Sequence, residues 1–272
     1  MTNVFSENDL EILIATKNRN NFDFLALMFP FKHFSKFNIF IINQSNLTKL
    51  ISDFETVRVI NVNEKGLSKS RNLALKNASK KICLIADDDV IFSPNFQLEI
   101  ISAYNKNSLA SIITFNHQRL GLNKPQNSSQ KIFNHTLKSI KNVCSIEIVF
   151  QLKDIKANNL FFNENFGLGS YFETAEEYLF LRDAIKLKMC ALFCPSIIVS
   201  HPLISSGEDQ GSDRILFAKT ALFYKTRGNL VYIWLLKYVF FLVRKSYINS
   251  NECIRKYKMG LSGIRKYKEL VK

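Results

Sequence analysis

The residues best placed to do chemistry are three consecutive carboxylates, Asp87, Asp88 and Asp89, which follow the apolar run 82–86. Carboxylates ~4 Å apart at an effective dielectric of ~20 repel by about 4 kcal/mol per pair, so the site calls for a cation. In an extended backbone Asp87 and Asp89 point one way, about 7 Å apart, and Asp88 points the other. Two carboxylates so spaced suit a hard divalent ion whose remaining positions take diphosphate oxygens, making it a Lewis acid for a phosphate leaving group. A solvated acidic turn is the plain alternative. Residues 66–72 (GLSKSRN) place Ser68, Ser70 and Arg71 around a helix start. Free N–H groups there favour anions, and Arg71 offers a bidentate phosphate contact. Glu176 and Glu177 open a second helix after a glycine-bearing loop. They suit its dipole, and one of them facing a cleft would serve as a general base.

Positioning such groups takes a sheet with helices packed on it, and the chain alternates accordingly. Short β-rich runs lie at 10–15, 37–42, 57–62 and 82–86. Between and after them come helix-compatible stretches at 22–28, ended by Pro30, at 67–78 and at 96–104, with Ser93 as N-cap and Pro94 at the first helical position of the last. Further strands are expected at 111–115 and 145–150, and at 191–194 and 197–200 on either side of Pro195, with a helix at 176–188 and a polar loop over 116–141. The order predicts a doubly wound α/β sheet, in which ligands sit beyond the C-terminal strand ends. The three carboxylates are at such an end.

A chain of 272 residues that is 47% apolar can bury a sizeable core. Five cysteines at 83, 144, 190, 194 and 253 have neither a disulfide framework nor a second pair to complete a zinc site, which predicts reduced thiols in a cytoplasmic protein. The opening MTNVFSENDL lacks a basic segment followed by an apolar one, so no secretory leader is expected. The net charge of +14 thickens in basic clusters at 244–245, 255–258 and 265–268. It is read either as a composition rich in Lys and Asn throughout or as attraction to an anionic partner. The clusters belong to no recognisable nucleic-acid module, and nucleic acid is not expected as a partner. After a linker-like stretch at 205–212, residues 230–243 (LVYIWLLKYVFFLV) form the most apolar run. At 14 residues it is short of the ~20 that span a bilayer. With Trp234, Tyr238 and the basic clusters after it, it suits a helix in a membrane interface, a buried C-terminal helix being the alternative. The expected division is 1–205 and 206–272.

Taken in order, the segments resemble the family 2 glycosyltransferases, the inverting enzymes with a GT-A-type fold that use nucleotide-diphosphate sugars. The resemblance is carried by 12–19 (ILIATKNR), 66–78 (GLSKSRNLALKNA), 85–91 (IADDDVI), 162–170 (FNENFGLGS) with 174–184 (TAEEYLFLRDA), and 195–202 (PSIIVSHP). It implies a doubly wound mixed sheet with a helical, basic C-terminal extension. Thr16 would line the nucleotide pocket, Arg71 approach the nucleotide, and Asp87 and Asp88 reach ribose or phosphate. Asp89 would be the most direct ligand of Mn²⁺ or Mg²⁺, and His201 a further metal or diphosphate contact. Glu177 falls where the family has the Asp that deprotonates the acceptor, and Glu176 beside it is grouped with the substrate contacts. Where the family often has an Asp pair that reads the base, this chain has Asn43 and Gln44, and Asn43 would hydrogen-bond a base without charge.

The implied activity is inverting transfer of a sugar to a glycan or lipid-linked acceptor in bacterial cell-surface polysaccharide synthesis. The enzyme would be peripheral on the anionic inner face of the cell membrane. A non-catalytic nucleotide-sugar-binding homologue is the alternative. A metal-dependent phosphatase would want its Asp pair after the first strand, and here it follows the fourth.

Overall fold

Strands buried on both faces carry apolar residues at odd and even positions alike, and β1 (Leu10–Lys17) has that form. Leu10, Ile12 and Ile14 enter one core layer, while Leu13 enters the other. Glu11 shares the second side and is buried there, satisfied by Arg58 at 2.7 Å and the Ser79 amide at 2.8 Å. The computed structural model describes residues 4–46, 49–120, 125–201 and 210–272. After β1 come α1 (Asp23–Met28), β2 (Ile39–Gln44), β3 (Val57–Val62), α2 (Leu67–Asn77), β4 (Ile82–Asp87), β5 (Ile91–Phe92) and α3 (Phe96–Lys106). Then follow β6 (Ile112–Arg119), β7 (Phe133–Asn134), β8 (Ile148–Gln151), α4 (Leu152–Ala157), α5 (Glu176–Lys186) and β9 (Ala191–His201). The chain continues with α6 (Asp213–Arg227), α7 (Val231–Arg244) and α8 (Cys253–Leu270).

The described residues form two compact units: Met1–Asn163 with Glu177–Leu203, and Glu164–Glu176 with Ile204–Lys272. The glycine-bearing loop before α5 thus groups with the helical unit. The expected boundary at 205, and most of the linker-like stretch, lie outside the described residues.

In the first unit the strands run in the order β3-β2-β1-β4-β8-β6-β9-β5, with β7 also on β9. The first four are parallel, β8 is antiparallel to both neighbours, and β6 and β9 are parallel. Helices α1 and α3 cover one face through Phe24, Leu25, Phe96 and Ile100; α2 and α5 cover the other through Ala74, Leu75, Phe180 and Leu181. The sheet is therefore mixed and doubly wound, as the alternation of elements implies.

Three local expectations are corrected. The segments on either side of Pro195 are one strand: β7 pairs with β9 at Leu192 and Phe193, β5 at Val199 and Ser200, so the missing proline donor falls between them. The N-cap of α3 is Asn95 rather than Ser93, whose hydroxyl donates to the Ile197 carbonyl at 3.3 Å. The 116–141 stretch, read as a loop, contains the end of β6, β7 and a 3-10 turn over Ser139–Asn142.

In the second unit α6, α7 and α8 enclose Leu216, Val231, Leu235, Val239, Leu242 and Ile264. Rings of Phe223, Trp234 and Tyr238 stack at 4.6 and 4.7 Å. A Cβ on Gly263 would overlap the Phe217 carbonyl and one on Gly260 the tip of Leu235, so α8 approaches its neighbours too closely for larger residues. The apolar run at 230–243 is α7, with one face in this core and the other exposed.

Candidate active site

The carboxylates stand where β4 leaves the sheet. The extended backbone ends at Asp87, and Asp88 and Asp89 lie in a turn, so the three do not alternate as a strand would require. Each has its own partner. Asp87 pairs with Arg71 at 2.8 Å, from the second turn of α2, and that guanidinium is only 4% exposed. Asp88 accepts from Arg19 at 2.8 Å and from the Thr16 hydroxyl, both from the C-terminal end of β1 and the loop after it. Asp89, with its side chain 56% exposed, faces His201 Nε2 at 3.6 Å. Antiparallel pairing of Ile91 with Ser200 brings these two together from distant parts of the sequence. The cations the acidic cluster calls for are thus first of all arginines.

Electrostatics sets Asp89 apart. Partial burial and the neighbouring charges of Asp87 and Asp88 hold its carboxyl above the ordinary range, with His201 opposing. Its exposed oxygens and the adjoining imidazole are a donor set that suits a divalent ion such as Mn²⁺, which accepts carboxylate and imidazole ligands alike.

Around this corner the sequence-predicted residues divide. Thr16 is brought to the site through Asp88. Asn43 is buried: its Oδ1 accepts from the Arg19 amide at 3.1 Å, and its Nδ2 donates to the Arg19 carbonyl and Asn61 Oδ1, both at 2.9 Å. Register across the sheet aligns Thr16, Asn43 and Asn61. With both ends of its amide engaged, Asn43 braces the loop that carries Arg19. Gln44 Nε2 donates to the Gly66 carbonyl at 3.2 Å, tying β2 to the start of α2. Gly66 has φ 124°, a conformation open to glycine, and so sets the entry angle of the helix that delivers Arg71.

Glu176 is buried and Glu177 half-buried at the start of α5. Burial raises the Cys144 thiol, and the charges of Glu147, Glu177 and Asp87 add to it. Ala175, just before the helix, has φ 68°, which costs a non-glycine residue about 1 kcal/mol or more. The Phe162 and Phe180 rings stack at 4.3 Å, and Phe180 also meets Phe150 of β8 at 6.2 Å, which anchors α5 to the sheet.

The sequence reading assigns no role to Arg19, Ser145 or the group His117, Cys144 and Glu147. Ser145 Oγ donates to Asp87 at 3.5 Å. His117 Nδ1 meets Glu147 at 2.9 Å and the Cys144 amide donates to the same carboxylate at 2.8 Å. The ligand atoms of these three lie within 4.8 Å of one another. Since both Glu147 oxygens are engaged, the group is a buried brace behind Asp87. Only Arg19 carries a sequence signal, a cation three residues past Thr16 in the first post-strand turn.

Beyond the ends of β1, β2 and β3 lies an open groove of about 350 Å³ lined by Lys17, Asn18, Gln44, Ser45, Asn46, Asn63 and Lys65. Amides, hydroxyls and two ammonium groups there offer hydrogen bonds to a polar ring and charge to an anion.

A groove over parallel strand ends, beside a carboxylate turn met by a returning strand, is the layout of a GT-A-type fold. The family model described as Glycosyl transferase family 2 matches residues 5–167, more than half of the sequence, and the chain belongs to that family. Among solved structures the chain is similar to S. aureus TarS 1-349, at 13% identity and TM-score 0.51 over 95% of this chain and 90% of that one. It is likewise similar to S. aureus TarS 1-349 in complex with UDP, at 14% identity and TM-score 0.52, covering 96% of this chain and 90% of that one. The complex of S. aureus TarS 1-349 with UDP-GlcNAc gives 12% identity and TM-score 0.53, with the same coverage of 96% and 90%. No curated protein matches by sequence.

Proposed function

We propose that this glycosyltransferase moves a sugar, with inversion, from a nucleotide-diphosphate donor to an acceptor hydroxyl. The observation that carries the reading is the division of labour among three adjacent carboxylates: two are clamped by Arg71 and Arg19, and Asp89 is left facing His201. The UDP and UDP-GlcNAc complexes of S. aureus TarS support a nucleotide-sugar donor. The groove beside Lys17 and Lys65 would take the nucleoside, with Thr16 and Asp88 toward the ribose. Asp89 and His201 would hold a divalent ion, which when bound supplies Lewis-acid stabilisation to the leaving diphosphate. Arg71, fixed by Asp87, and Arg19, fixed by Asp88, would offer N–H donors that need no reorganisation as the diphosphate departs. Glu177 takes the proton from the acceptor hydroxyl, and the resulting oxygen attacks the anomeric carbon in line. Buried Glu176, beside Glu177, is grouped with the substrate contacts. The acceptor is a glycan or lipid-linked saccharide in cell-surface polysaccharide synthesis, met at the cytoplasmic face of a membrane.

The test is donor consumption by the purified chain over a panel of nucleotide sugars with Mn²⁺ or Mg²⁺, with donor binding read separately by thermal shift. Glu177→Gln should lower transfer by about 10²-fold or more while donor binding stays close to normal. Near-normal transfer in that variant would reassign the base. Donor binding with no turnover for any acceptor would mark a nucleotide-sugar-binding protein instead.

A further inference from the structure

In water an amphipathic helix hides one apolar stripe and shows a polar one. Helix α7 does not. Val231, Leu235, Val239 and Leu242 fill the core of the helical unit, yet Ile233, Leu236 and Phe240 on the opposite side are 58%, 59% and 69% exposed. At 3.6 residues per turn those three fall within an arc of about 100° together with Lys237 and Arg244, which are also exposed. Residues 210–272 contain fourteen of the chain's 37 Lys and Arg but only three of its 23 Asp and Glu. No described helix is long and apolar enough to cross a membrane.

We infer that the outer face of α7 is a membrane-docking surface that lies in the headgroup region of an anionic bilayer. Ile233, Leu236 and Phe240 enter the acyl boundary, while the long stems of Lys237 and Arg244 let their charges reach lipid phosphates. A second copy of this chain is a poorer occupant. A two-fold contact through this face would set Lys237 and Arg244 against the same residues of the partner, within two strongly basic helical units. An anionic lipid surface turns the same charges from repulsive to attractive, at roughly fivefold in affinity per Lys or Arg. The choice of a lipid surface deepens the transferase reading, but lipid affinity is measured without turnover, so failure of one leaves the other standing.

The experiment is flotation of the full chain with vesicles of phosphatidylcholine, alone or mixed with phosphatidylglycerol, at low and high salt. The native chain should float with the mixed vesicles and much less with the neutral ones. Ile233→Asn with Phe240→Asn, both at exposed positions, should weaken binding by about a hundredfold, roughly tenfold per lost side chain. Lys237→Gln with Arg244→Gln should weaken it by about 25-fold. Circular dichroism and melting temperature, unchanged in both variants, would separate lost docking from lost folding. No binding to anionic vesicles would overturn the inference. So would binding that is indifferent to the apolar substitutions, or a dimer, seen by sedimentation, that those substitutions dissolve.

Discussion

At the scale of single residues, charge is settled by neighbours that the chain order hides. Replacing Asp89 by Ala removes the one carboxylate of the three without an arginine, and donor turnover should fall by about 10²-fold or more with little change in melting temperature. A kinetic assay beside a thermal melt checks both halves. A second residue bears on pH. His135 is buried between the Thr114 hydroxyl at 2.7 Å and the Ser139 hydroxyl at 3.0 Å, and burial pushes its imidazole down to about 4. The unfolded chain, with an ordinary value of about 6.5, takes up the proton first as pH falls. Stability is therefore whole above about pH 6.5 and declines toward pH 4, with a loss of about 2 kcal/mol by pH 5 from this residue. His135→Gln should flatten that slope in urea melts at pH 7.5 and pH 5. The acidic triplet was legible because an apolar run ended in charge. The arginine partners were not, because Arg19 and Arg71 meet the triplet only once β1, α2 and β4 share a register. The brace made by Asn43 was hidden for the same reason: its partners Arg19 and Asn61 come from other elements.

At the scale of elements, periodicity located the longer strands and helices of the first unit within a few residues, since each buries an apolar pattern of its own period, while the short β5, β7 and α4 carry no such signal. The pattern stopped short where other forces decide the boundary. Strand β1 runs on to Lys17 because Thr16 and Lys17 pair with Asn43 and Gln44 of β2, a register that no side-chain pattern announces. In helix α8, Gly260 and Gly263 lie on the surface that meets the neighbouring helices. Alanine in a helix gains about 1 kcal/mol over glycine, while overpacking costs 1–3 kcal/mol. At Gly263 the added methyl meets rigid backbone at Phe217, so Gly263→Ala should destabilise the helical unit by about 1–2 kcal/mol. At Gly260 it meets the mobile end of Leu235, and Gly260→Ala should be close to neutral. Comparing the two variants by denaturant unfolding tests whether backbone contact is what sets the difference.

At the scale of the whole molecule, the sequence announced a net charge of +14 that thickens toward the C-terminus, but not that α7 would keep an apolar face outside while packing the other. Thiols offer a probe at this scale. Cys83 is fully buried in β4, and burial holds its thiol well above the ordinary range. A maleimide dye should leave Cys83 unlabelled in the native chain and modify it only as the sheet unfolds, which peptide mapping across a thermal ramp would show. Since Arg71 and Arg19 already balance Asp87 and Asp88, the acidic corner carries its own counter-ions within the chain. The polypeptide is therefore self-sufficient as a folded body: stripping it with a chelator should silence turnover and leave the melting curve where it was. Arg71→Met, which strands a carboxylate at the sheet end, should do what the chelator cannot and lower the melting temperature by several degrees.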